Sequence, residues 1–149
     1  MTHQRLARRC LVAWGLVVAV FLLTPAVELP SGAVGWVADV LRSGGAPETV
    51  VAGKRVEFGV NVAVISPLTF LGHWAFPGRT WRDWTAYGFV GSMAVEATQA
   101  LLLSRRSAEF VDVVANTAGA LLGAIAAIAV VSTGLDQRMI SRRRPRSPR

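Results

Sequence analysis

Four apolar stretches alternate with polar connectors along this chain of 149 residues. They cover residues 10–27, 58–76, 85–103 and 111–132. Each is close to the ~20 residues that a helix needs to cross ~30 Å of hydrocarbon. The pattern predicts an all-α fold, a polytopic integral membrane helical bundle with about four transmembrane helices. Residues 1–9 would precede this membrane domain, residues 10–133 would form it, and residues 134–149 would follow as a tail.

The first apolar stretch has two interpretations. It follows Arg5, Arg8 and Arg9 and contains no charged residue before its end at Val27. A cleaved signal peptide has the same charged start and apolar run. We favour an uncleaved anchor, because the later stretches also have the length and composition of membrane spans.

The longest polar segment within the bundle runs from residue 28 to residue 57. Inside it, Val34, Val37 and Leu41 recur at helical spacing beside Trp36. This pattern is typical of a short helix that lies in the membrane interface, and a simple loop is the alternative. The SGGAP sequence that follows is expected to end any helix there.

Charge is distributed unevenly along the chain. The formal net charge is +7, and six arginines lie in the last twelve residues, so the remaining chain is nearly neutral. With four spans and a cytoplasmic N-terminus, 11 basic residues lie inside and 5 outside. The positive-inside rule therefore places both termini of a multi-pass membrane protein in the cytoplasm. We interpret the tail as a topology determinant that contacts anionic lipid, and not as a nucleic-acid-binding segment.

Residues for metal or nucleophilic chemistry are scarce. Cys10 is the only cysteine, and His3 and His73 are the only histidines. The sequence therefore predicts no metal site, no cofactor and no nucleophile–base arrangement.

Polar residues inside the last two apolar stretches are the candidate site. Glu96 and Gln99 share one helix face, and Asp112 and Asn116 share another. A short connector joins the two stretches, so we expect an antiparallel hairpin in which Glu96 and Gln99 face Asn116 and Asp112. An ionisable side chain at membrane depth indicates a functional site. The connector also supplies two cations, which we expect to neutralise one or both carboxylates: Arg105 and Arg106.

Each of these polar positions also has a structural interpretation. Gly119 and Gly123 are typical of close helix packing, and Asn116 of an interhelical hydrogen bond. Asp112 is favoured at a helix N-terminus by the helix dipole. No capping role in the sequence explains Glu96, whereas Asn61 in the second stretch is more often structural.

The segment from Val95 to Gly123, VEATQALLLSRRSAEFVDVVANTAGALLG, resembles the VanZ-like family signature. That signature combines an E-x-x-Q pair, a loop with an arginine, and D-x-x-x-N-x-x-G-x-x-x-G. Residues 56–68 also resemble the family's glutamate–asparagine–proline segment, although Thr69 stands where a glycine often follows the proline. Family members are small polytopic bacterial membrane proteins, and the founding member is associated with teicoplanin resistance.

Two classes of function compete. In the first, a non-catalytic envelope protein uses the outward-facing polar cluster to bind a lipid headgroup, a lipid-linked cell-wall precursor or an envelope protein, which would affect glycopeptide susceptibility. In the second, a membrane-embedded enzyme uses Glu96 and Asp112 as an acid–base pair on a lipid-linked envelope precursor. We favour the first class, because no histidine, cysteine or activated serine accompanies the carboxylates.

Overall fold

The computed structural model describes residues 2–23, 28–102 and 109–143, with side chains described over 3–22, 31–101 and 109–133. Within these residues the chain forms five α-helices and no β-strand. The helices are α1 Thr2–Leu23, α2 Glu28–Ser43, α3 Gly53–Ala75, α4 Trp81–Leu102 and α5 Phe110–Arg143. The predicted all-α fold is confirmed.

Among the described residues, two helical segments are long and apolar enough to cross a membrane: Gly53–Ala75 and Phe110–Thr133. They contain most of the second and fourth predicted spans. α1 and α4 overlap the first and third spans, and a total of four transmembrane helices stays a prediction. The helices extend beyond the apolar runs because charged residues such as Lys54 are good helix formers. Hydropathy marks where a helix suits hydrocarbon, whereas backbone hydrogen bonding decides where it ends.

Interhelical hydrogen bonds fix the direction of each helix in the bundle. Asn61 bonds to Asp112, and Thr69, about two turns further along α3, bonds to the Ala120 carbonyl, about two turns further along α5. α3 and α5 are therefore parallel. α4 is antiparallel to both, because it connects them and its Ser92 bonds to Asn116 in the first half of α5.

α1 runs antiparallel to α3. The side chains of Gln4 and Arg8, near its start, both donate hydrogen bonds to the carbonyl oxygen of Ala75, the last residue of α3. Further along α1, the Trp14 indole donates to the Val64 carbonyl at 2.9 Å. The ends of α1 and α4 therefore lie at the same end of the bundle as the starts of α3 and α5.

α2 is the helix that the sequence left open as an interfacial helix or a loop. Val37 and Ala38 pack against Val56 at the start of α3, whereas Trp36 is 68% exposed. The helix ends where the amide of Gly45, which has a φ of 83°, donates to the Arg42 carbonyl. A left-handed residue at this position is common at helix ends, and glycine adopts it without steric penalty. The predicted break at SGGAP therefore agrees with the structure.

α3 and α5 approach each other at backbone distance. A Cβ atom added to Gly119 would lie 2.6 Å from the Val62 carbonyl oxygen, and one added to Gly123 would lie 2.0 Å from the Ser66 carbonyl oxygen. The hydroxyl of Thr69 donates to the Ala120 carbonyl at 2.8 Å in the same contact. Small residues at such positions let two helices pack closely.

Candidate functional site

Polar side chains from three helices meet where α3 and α5 begin and α4 ends. We call this group the polar end, and its members are Lys54, Asn61, Glu96, Gln99, Glu109 and Asp112. Most of them are buried or half-buried, whereas the Lys54 side chain is 75% exposed. The structure thus brings sequence-predicted residues together with Lys54 and Glu109, which the sequence did not single out.

Glu96 fixes the end of α4 to the start of α5. Its Oε2 accepts a hydrogen bond from the backbone N–H of Glu109 at 2.8 Å, and the residue is only 6% exposed. Glu109 directly precedes the first residue of α5. In a capping box, an acid three residues into the helix accepts this hydrogen bond. Here Glu96, which lies on α4, accepts this hydrogen bond instead. Its carboxylate is therefore near the N-terminus of α5, where the helix dipole favours negative charge.

Asp112 lies in the first turn of α5 and connects it to α3. Its Oδ1 accepts a hydrogen bond from Nδ2 of Asn61 at 3.0 Å, and Asn61 is 8% exposed. A second connection lies nearer the surface, where Lys54 Nζ and Glu109 Oε2 form a salt bridge at 2.7 Å. Asp112 therefore faces α3, and not Gln99 on α4 as the hairpin model expected.

Gln99 also departs from the hairpin model. Its Nε2 donates to the carbonyl oxygen of Leu22 at 2.8 Å, so the side chain faces the end of α1 and not Asp112 or Asn116. The reason is the four-helix arrangement: the face of α4 that carries Gln99 lies between α1 and α5. A model of two isolated helices had no place for α1 in that contact.

Asn116 is the member of the predicted cluster that faces α4 directly. Its Nδ2 donates to Oγ of Ser92 at 3.0 Å, and the residue is 2% exposed. Its Oδ1 is buried and has no hydrogen-bond partner among the described residues. Gly119 and Gly123, in contrast, contact α3, so the predicted stripe on α5 divides between two neighbouring helices.

The proposed cations Arg105 and Arg106 lie outside the described residues. Their pairing with Glu96 or Asp112 therefore stays a prediction. The side chains of the arginine tail lie outside the described part of the chain as well.

A groove of about 620 Å³ separates α2 from the start of α3. Both charge signs line it: Asp39 and Arg42 from α2, and Lys54 and Glu57 from α3. Arg42 forms salt bridges with Asp39 at 2.9 Å and with Glu48 at 3.0 Å. The hydrogen bond and charge of Glu48 raise the pKa of Arg42 above its ordinary value. Because Lys54 also contacts Glu109, the groove adjoins the polar end.

Sequence reasoning missed three residues of this region. Lys54 and Glu109 lie outside the apolar runs, and their partnership depends on α3 and α5 being parallel. Thr69 was treated only as a departure from a family pattern, yet its hydroxyl connects α3 to α5. The partner of Thr69 is a backbone carbonyl, so the sequence carried no signal for this contact.

Both carboxylates of the polar end accept hydrogen bonds from neighbouring parts of the fold. Glu96 accepts the backbone N–H of Glu109, just before α5, and Asp112 accepts an amide N–H from Asn61 of α3, so both carboxylates connect neighbouring helices. Among the described residues, no group of three or more His, Cys, Asp or Glu side chains could hold a metal ion.

The described residues form an all-α bundle with two helical segments long and apolar enough to cross a membrane, which is the architecture of a small helical membrane domain. More specifically, the chain belongs to the VanZ/LLP1 family, whose model matches residues 10–131. This match confirms the resemblance seen in the sequence. No curated protein and no solved structure matches the chain.

Proposed function

We propose that this VanZ/LLP1-family protein is a non-catalytic, multi-pass protein of the bacterial plasma membrane that binds a lipid headgroup at its polar end. The observation that carries the proposal is the groove between α2 and α3, which has two cations and two carboxylates on its walls. Such a groove complements a ligand that bears both charges. A headgroup with a phosphate and a primary amine fits, because the phosphate pairs with Arg42 and Lys54 and the amine with Asp39 and Glu57.

Lys54 is available for such a ligand although it already has a partner. Its salt bridge with Glu109 joins side chains that are 75% and 40% exposed. Exposed pairs of this kind contribute only about 0–1 kcal/mol, so a phosphate can replace the carboxylate at little cost. Glu96 and Asp112 serve the proposal by holding the start of α5, next to Glu109, against α4 and against α3, which carries Lys54.

Binding to lipid vesicles of matched composition tests the headgroup. We expect phosphatidylethanolamine to bind more tightly than phosphatidylcholine, whose quaternary amine has no N–H to donate to Asp39 or Glu57. Lys54→Gln should weaken phosphatidylethanolamine binding. The matched control is Arg55→Gln, because Arg55 is exposed, donates to the Thr49 carbonyl and does not line the groove. Equal binding of the two lipids, or equal effects of the two variants, would contradict the proposal.

The orientation of the bundle is part of the proposal. Four transmembrane helices with both termini in the cytoplasm place the polar end at the outer face of the membrane. The parallel arrangement of α3 and α5 supports this, because it gathers the polar end on one side. Reporter fusions at Arg79 and Arg106 test it: we expect a cytoplasmic signal at Arg79 and an external signal at Arg106. A cytoplasmic signal at Arg106 would contradict the topology.

The family resemblance extends the proposal to glycopeptides. Binding at the outer face would alter how teicoplanin reaches cell-wall precursors, so expression of the protein in a susceptible bacterium should raise the inhibitory concentration of teicoplanin. Lys54→Gln should reduce that increase and Arg55→Gln should preserve it. Equal teicoplanin susceptibility with and without the protein would contradict the role in resistance and leave headgroup binding to be judged by the vesicle experiment.

A further inference from the structure

A second cavity lies in the middle of the bundle and is separate from the groove on α2. It has a volume of about 350 Å³. α1 forms one wall with Gly15 and Val18, α4 forms the other with Gly91 and Ser92, and α3 and α5 close the bottom. Gly91 and its neighbour across the mouth, Ala19, are exposed, so the cavity opens between α1 and α4.

Glycines on the two walls keep this space open. A Cβ atom added to Gly91 would meet nothing within 4 Å, and one added to Gly15 would meet only Leu68, at 3.8 Å. Gly88, one turn before Gly91, is different, because its Cβ would lie 2.2 Å from the Cβ of Ala120. Close packing therefore explains Gly88, whereas Gly15 and Gly91 border unfilled volume.

The cavity wall is apolar except for a few groups, and Asn116 is the most informative of these. Asn116 lines the cavity, is 2% exposed and uses its Nδ2 on Ser92. Its Oδ1 has no hydrogen-bond partner among the described residues. A buried carbonyl oxygen without a donor is costly, so a donor from a ligand would be favourable there. Trp84 lines the same cavity, and its indole N–H is likewise buried without a partner in the described part of the chain.

We propose that this cavity binds a single hydrocarbon chain that carries a hydroxyl group, with the hydroxyl donating a hydrogen bond to Asn116 Oδ1. The size agrees with this ligand. An apolar cavity of ~150 Å³ accepts benzene, and small-molecule pockets begin near ~300 Å³. The apolar walls take the chain, and Asn116 selects for the donor. This site does not depend on the headgroup groove.

Native mass spectrometry of the protein in phosphatidylcholine nanodiscs tests the ligand chemistry. The probes are 1-dodecanol, its methyl ether and dodecane, which share a chain but differ in the hydroxyl donor. We expect one molecule of 1-dodecanol to bind, with an affinity about tenfold higher than that of the ether, because one hydrogen bond to a buried acceptor is lost. Equal affinities for the alcohol and the ether in the wild-type protein would overturn the proposal.

A cavity-filling variant tests the location. Gly91→Phe should reduce 1-dodecanol binding at least tenfold by occupying the cavity. The matched control is Gly59→Phe, because Gly59 is also an exposed helical glycine with nothing within 4 Å of an added Cβ, and it does not line the cavity. If Gly91→Phe fails to fold, Gly15→Leu fills the opposite wall. Binding equal to that of Gly59→Phe in a folded cavity-filling variant would show that the alcohol binds elsewhere.

Discussion

Two pairs of helices in the same bundle are packed in opposite ways. α3 and α5 are parallel and touch at backbone distance, with Gly119 and Gly123 against the carbonyls of α3. α1 and α4 are also parallel, yet Gly15 and Gly91 on them border an open cavity of about 350 Å³. The comparison teaches that glycine has two uses here. In one pair it removes a side chain so that helices can meet, and in the other it leaves room that a ligand can fill.

The two pairs of helices have different structural roles. α3 and α5 are also the helices with segments apolar and long enough to cross a membrane. They form a closely packed centre, in which hydrogen bonds of the Thr69 hydroxyl and of Asn61 with Asp112 connect the two helices. α1 and α4 lie against that centre and leave space between them. Within the bundle, binding of a hydrocarbon chain is therefore expected between α1 and α4, where the cavity lies.

The largest expected effect is the loss of stability when a methyl group is added at Gly123, where α3 and α5 touch. Gly123→Ala places a Cβ 2.0 Å from the Ser66 carbonyl oxygen, so α3 and α5 must separate. We expect a loss of about 3 kcal/mol in the free energy of unfolding, at the upper end for overpacked cores. Gly91→Ala, the matched control on α4 beside the cavity, should cause no loss in the free energy of unfolding. Unfolding in mixed micelles measures both, and equal losses would erase the distinction between the two pairs.

A smaller effect is expected where α4 is attached to α5. Glu96→Ala removes the acceptor for the Glu109 N–H at the start of α5 and should cost about 2 kcal/mol. Glu96→Gln keeps an acceptor oxygen but loses the charge, so it should cost about half as much. Hydrogen exchange at the Glu109 amide reports the local effect. An amide exchange rate that neither variant changes would show that this hydrogen bond does not hold the helix start.

Thr69→Val tests the side-chain hydrogen bond between α3 and α5. It removes the hydroxyl that donates to the Ala120 carbonyl while preserving the side-chain shape, and we expect a loss of about 1 kcal/mol. Thr98→Val is the control, because that hydroxyl donates only to the Ala94 carbonyl of its own helix. Thermal unfolding in detergent compares them. A loss for Thr98→Val as large as that for Thr69→Val would mean that the interhelical bond adds nothing.

Sequence periodicity predicted the fold class well because each apolar run has the length and spacing of a helix. The helix contacts were harder to predict, since they depend on which face meets which neighbour. Gln99 and Asp112 were expected to face each other, but Gln99 faces α1 and Asp112 faces α3. The two faces of the hairpin are divided among α1, α3 and each other, so the pairing of two helices alone does not determine them.

Glu96 shows a second limit of sequence reasoning. Within its own helix it has no capping role, which made it a candidate functional residue. In the structure it accepts the N–H that precedes α5, a role that depends on the path of the connector between α4 and α5. Lys54 and Glu109 were missed for the same reason, because 55 residues separate them in sequence and only the fold brings them together.

The smallest expected effect concerns the start of α4, the helix that lies beside α1 across the cavity. The hydrogen bonds that stabilise this helix start are local in sequence. Oδ2 of Asp83 accepts hydrogen bonds from the N–H of Thr80 at 2.7 Å and from its hydroxyl at 3.0 Å, as in a capping box. These bonds, the backbone one first, lower the pKa of Asp83 below its ordinary value.

Because the folded pKa of Asp83 is the lower one, its stabilising contribution is present above the unfolded pKa of about 4 and is lost as pH falls through the folded pKa. We therefore expect the Asp83→Asn variant and the wild type to differ in unfolding temperature at pH 6 and to converge below pH 3. The control is Asp39→Asn, which removes an exposed carboxylate on α2 away from α4. A difference between Asp83→Asn and the wild type that does not change with pH would show that the carboxylate charge does not stabilise the start of α4.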